Sequence, residues 1–156
     1  MTTLDVQPSS AGDVDARGEP IRQLLLALIF LGAAGLVAEL LLLEHTENVY
    51  QWMPLVMLAL VLVFSLLLGF RPSPRVLRLF RGLMVLVILV GLVGIYLHYD
   101  GNREFELEMD PQASGFDLLW KVLHGATPTL APGAMVQLGL LGLVFAYRHP
   151  LLRLRA

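Results

Sequence analysis

The chain has no cysteine and little charge: only 15% of its 156 residues are Asp, Glu, Lys or Arg. Without cysteine there is no disulfide, no thiolate metal site and no covalent haem attachment. Its apolar runs lack the two-residue alternation of barrel strands, which excludes a transmembrane barrel. No phosphate-binding glycine loop, nucleophile elbow or nucleic-acid-binding surface is recognisable. What the chain has in quantity is apolar residue, 56% of the total, with a mean hydropathy of +0.70.

That apolar content is gathered into four runs, at about 22–44, 54–70, 82–98 and 132–147. A run of roughly 18–20 apolar residues crosses the hydrocarbon as a helix, at ~1.5 Å per residue. The fold expected is therefore all-α and integral to the membrane, a four-transmembrane-helix bundle. The last run is short and rich in glycine. Residues 1–20 are polar, without periodicity, and read as a disordered tail. Residues 149–156 read as a second tail, and 99–131 as a loop capping the helices on the outer side.

Orientation follows from the basic residues near the helix ends. Arg17, Arg22, Arg71, Arg75, Arg78, Arg81, Arg148, Arg153 and Arg155 fall on one side, leaving only Arg103 and Lys121 for the other. Four spans with both termini cytoplasmic satisfy this at every loop, and a prokaryotic cytoplasmic membrane is the expected location. The outer side then holds Glu39, Glu44, Glu47, Asp100, Glu104, Glu106, Glu108, Asp110 and Asp117, a field that attracts cations and basic partners.

Helices 1 and 3 can be aligned from Arg22 and Arg81. Glycines then coincide, Gly32 with Gly91 and Gly35 with Gly94, and Glu39 coincides with His98. Helices 2 and 4 correspond more loosely, as in two parallel hairpins related by duplication. Positions i, i+3 and i+7 share a helix face, and glycine faces let membrane helices approach closely. The expectation is that helices 1 and 3 pack together and bring Glu39 against His98, as a structural hydrogen bond, a metal ligand pair or a proton relay. Gln137 is expected to be buried and bonded across helices.

Further candidates lie on the outer side. "EHTE" places Glu44, His45 and Glu47 within four residues, and with Glu39, His98 and His124 these form the candidate ligand set for a divalent cation. Tyr50 and Trp52 read as an interfacial aromatic belt. "DGN" at 100–102 reads as a turn. In "REFELEMDP" the acids Glu104, Glu106 and Glu108 alternate with Phe105, Leu107 and Met109, which points to an extended segment able to dock a partner. Phe116, Leu119, Trp120 and Leu123 make one stripe of a short interfacial helix. Gly94, one turn before His98, leaves room for a macrocycle, so haem or chlorophyll ligation ranks last among the readings.

The function expected is a non-catalytic membrane subunit or scaffold. Its partners would be the lipid bilayer and other membrane chains, as a homo- or hetero-oligomer, with no nucleic acid. One alternative is a small cation transporter or channel using Glu39 and His98; another is a metal- or haem-binding membrane enzyme.

Overall fold

The computed structural model describes residues 11–153. They form six helices: α1 (Ala11–Leu42), α2 (Val49–Phe70), α3 (Pro74–Met109), α4 (Gly115–Leu123), α5 (Gly133–Ala146) and α6 (Pro150–Arg153). No strand occurs among the described residues. Over Gly18–Leu42 in α1, and throughout α2 and α3, the helices are long and apolar enough to cross a membrane. The fourth apolar helix, α5, has 14 residues, about 21 Å at the usual rise and short of a ~30 Å hydrocarbon layer.

Local chemistry sets several boundaries. The Asn48 side chain accepts from the backbone N–H of Tyr50 and Gln51, so α2 starts at Val49 and not at Pro54 as its apolar run implied. Pro54 sits inside the helix, where it forfeits one backbone bond. Ser73 caps α3 through Val76 N–H, with Pro74 at the first helical position. Residues 11–20, expected in a disordered tail, are the first turns of α1. Extending an existing helix avoids the cost of nucleation. Residues 1–10 lie outside the described residues. In the second expected tail, Pro150–Arg153 is helical.

The largest departure is at the end of α3. Asp100, Gly101 and Asn102 make no turn, and 104–109 is helical rather than extended. Glu, Leu, Met and Arg are strong helix formers. An isolated strand here would have no ladder, whereas the helix continues without a new nucleus. It stops before Pro111, whose ring disfavours helix at the preceding residue. α3 therefore spans 36 residues, about 54 Å, well beyond a bilayer's hydrocarbon.

α1 packs on α2 and α5, while α3 packs on α2, α5 and α4. α1 and α3 consequently face each other across the molecule instead of packing along their length, which corrects the expected pairing. Both glycine faces receive α5. A Cβ on Gly91 would lie 2.8 Å from Val136 Cγ2 and 3.0 Å from Pro132 O, one on Gly94 would lie 2.8 Å from Pro132 Cβ, and one on Gly32 would touch Leu138. Gly139 and Gly142 of α5 return the fit by admitting Ile88 and Met84 of α3.

The buried core comprises Ile29, Ala33, Leu58, Val61, Leu77, Phe80, Met84, Val87 and Phe145, among others. Phe80 meets Phe145 edge-on at 5.7 Å. At this end the Arg22 guanidinium donates to Phe145 O at 3.3 Å and Tyr147 O at 3.4 Å. It thereby caps carbonyls at the end of α5, where a cation is favoured by the helix dipole. Large apolar side chains also face outward, including Leu24, Leu31, Leu42 and Phe70. Only 11% of the most apolar stretch of α1 is buried, an apolar surface far larger than soluble monomers present.

Candidate functional site

Core side chains such as Phe80, Met84 and Phe145 fill the arginine end of the helices. Between α1, α2, α3 and the start of α5 lies a cavity of about 960 Å³. Small residues line it, Gly101, Ala131 and Ala134 among them. Its depth is apolar, with Leu36, Leu40, Leu58, Val90, Val93 and Met135. Polar lining comes from Glu39, His45, Asn48, Gln51, His98 and Thr127, with Tyr50 and Phe105 beside them. Its volume falls within the ~300–1,000 Å³ of small-molecule sites.

His45 enters from the turn after α1. Its backbone N–H reaches Leu40 O at 2.9 Å, and Glu44 just before it takes a left-handed φ of 50°. Burial, reinforced by the neighbouring imidazole of His98, lowers the His45 pKa below its ordinary value, and Glu47 opposes the shift. The two rings stand 6.5 Å apart, tilted by 54°. His98 Nδ1 lies 3.0 Å from Pro128 O. A carbonyl only accepts, so Nδ1 is the donor in this bond.

The structure thus gathers part of the sequence candidates. Glu39, His45 and His98 line one cavity. Glu39 and His98 do not form the expected pair: the two ion pairs among the described residues both belong to Lys121, and His98 is bonded to Pro128. Glu44 and Glu47 are exposed and do not line the cavity. His124 lies apart at the end of α4, its ring 4.2 Å from that of Trp120 and its Nδ1 2.9 Å from Trp120 O. Among the described residues, no three His, Asp or Glu side chains come together to hold a metal ion. Of the segment 104–109, Phe105 lines the cavity and Met109 is exposed. Gln137 is exposed rather than buried; with Gly32, Gly35 and Glu39 it lines a cleft between α1 and α5. Leu36, Glu39 and Ala134 border both the cleft and the cavity.

One residue missing from the candidates organises the whole acidic end. Asn102 is 3% exposed. Its Nδ2, with two hydrogens to donate, has three acceptors in reach, Val122 O at 3.0 Å, Thr127 O at 2.7 Å and Thr129 Oγ1 at 3.0 Å, and its Oδ1 accepts from Thr127 N and Oγ1. These bonds tie α4 and the 125–131 segment to α3, which sets Pro128 against His98. Gly125 packs so closely that a Cβ there would lie 2.6 Å from Asn102 Cγ. The available signal was spacing: Asn102 falls one turn after His98, on the same helix face.

Comparison of the chain with family models, with curated proteins and with solved structures finds no match.

Proposed function

We propose that this chain is an integral membrane protein of four transmembrane helices (α1, α2, α3 and α5 with its flanks), both termini cytoplasmic, whose outward-facing cavity binds an amphiphile. The observation carrying this reading is the cavity's polarity: apolar walls between the helices, hydrogen-bonding groups near the loops. An amphiphile in a bilayer has the same gradient along its length. The α1–α5 cleft borders the cavity at Leu36, Glu39 and Ala134 and supplies a route from the lipid.

The test uses the full chain in nanodiscs and a twelve-carbon alcohol bearing a diazirine in its tail. Adducts mapped by mass spectrometry are expected on Val90, Val93 and Met135 and should vanish in Val93→Trp. Adducts confined to outward-facing side chains such as Leu24, Leu31 and Leu89 would overturn the reading. The orientation is checked by cysteines at Ser73 and Ser114, which are expected to react from opposite faces of the membrane.

A second reading, a subunit docking to other membrane chains, is supported by Gln137. In a bilayer its outward-facing amide would find hydrogen-bond partners only on another polar chain. Gln137→Leu is then expected to dissociate an oligomer resolved by native electrophoresis; an unchanged band would remove this support.

A further inference from the structure

We propose that the amphiphile bound in this cavity carries a cationic, ammonium-type head group seated against Glu39. The inference rests on the amphiphile-binding reading above and names the charge that the site selects.

Among the described residues, Glu39, itself exposed, is the only carboxylate lining the cavity, and no lysine or arginine lines it. It stands one turn before α1 ends at Leu42. A carboxylate at the edge of hydrocarbon is costly unless an opposite charge accompanies it. No ion pair within the protein engages it: those among the described residues are of Lys121 with Asp110 and Asp117, around α4.

The other titratable groups at the mouth are His45 before α2, Tyr50 on α2 and His98 on α3. Burial and the adjacent His98 lower the His45 pKa, which disfavours its cationic form. Glu47, close enough to act on His45, and exposed Glu44 strengthen the negative sign of the rim. An anionic head would meet this field with no lysine or arginine lining the cavity to receive it. An ammonium gains the Glu39 carboxylate, and the aromatic side chains of Tyr50 and Phe105 line the same cavity.

The experiment places the full chain in phosphatidylglycerol nanodiscs, which contain no ammonium head groups. Four diazirine probes are compared: twelve-carbon chains ending in trimethylammonium, alcohol or sulfate, and a two-chain phosphatidylethanolamine. Labelling of Val90, Val93 and Met135 is normalised to probe content of the bilayer. Wild type is expected to favour trimethylammonium over alcohol at least fivefold, with the sulfate weakest. Glu39→Gln is expected to erase that preference, and Glu39→Asp to retain it. Cavity labelling by the phospholipid probe assigns the head to a membrane lipid; labelling by the single-chain cation alone assigns it to a free amphiphile, and either supports the proposal. Equal labelling by ammonium and alcohol, or a preference that survives Glu39→Gln, would overturn the charge assignment alone. Absence of cavity labelling by all four probes would overturn the amphiphile reading and the assignment with it.

Discussion

Replacing Asn102 should release the acidic end while sparing the helices below it. The amide lies within hydrogen-bond distance of five groups on Val122, Thr127 and Thr129 from a position 3% exposed. In Asn102→Ala, Val122 O keeps its bond from Thr129 Oγ1, at 3.0 Å. Thr127 N–H and Thr127 O lose their Asn102 partner. A buried group left unpaired costs about 1–3 kcal/mol, so two partly buried ones amount to roughly 3 kcal/mol, about a hundredfold in a local opening equilibrium. Hydrogen exchange on the protein in nanodiscs measures this directly. Amides of 115–131 should exchange on the order of a hundred times faster in the variant, with those of α2 and of 76–95 unchanged. Gly125→Ala, whose Cβ would drive into the same amide, should reproduce the pattern. Unchanged protection of 115–131 in Asn102→Ala would refute the argument that this side chain holds the cap.

Gly91→Val should lower the thermal midpoint by the equivalent of about 1–3 kcal/mol through overpacking against Val136 and Pro132, whereas Gly69→Ala, with nothing within 4 Å of the new Cβ, should be near neutral in the same melting assay. His149 has its pKa lowered from 6.5 by burial first and by Arg22 second, with Glu19 opposing. The folded state therefore disfavours its proton, and stability should fall as pH drops below the unfolded pKa; Arg22→Gln should raise the His149 pKa, read from its ring NMR signals, and narrow that acid loss. Because no bond joins Glu39 to His98, the stability effects of Glu39→Gln and His98→Phe should add within about 0.5 kcal/mol in a double-mutant cycle; a larger coupling would show that the two side chains meet.

Much of the architecture was legible in the residues. Apolar runs free of charge become helices because a backbone away from water must satisfy itself within one segment, and that requirement is local. The arginines at 22 and 148 fall at one end of the packed helices, as their spacing around the apolar runs implied. What spacing cannot supply is the neighbour. Gly32, Gly91 and Gly94 marked two faces open to close approach, but their occupant is α5 and not each other, because the chain returns through the 124–132 segment and lays α5 between α1 and α3. The alternation in 104–109 fitted a strand by periodicity alone; continuity with α3 decided for helix, an advantage invisible in a six-residue window. Asn102 looked like part of a turn until Thr127 and Thr129 were folded onto it from some 25 residues away. The cavity belongs wholly to the tertiary level. It exists because a short α5, small residues at 101, 131 and 134, and walls brought together from α1, α2, α3 and α5 leave space that no single segment encodes.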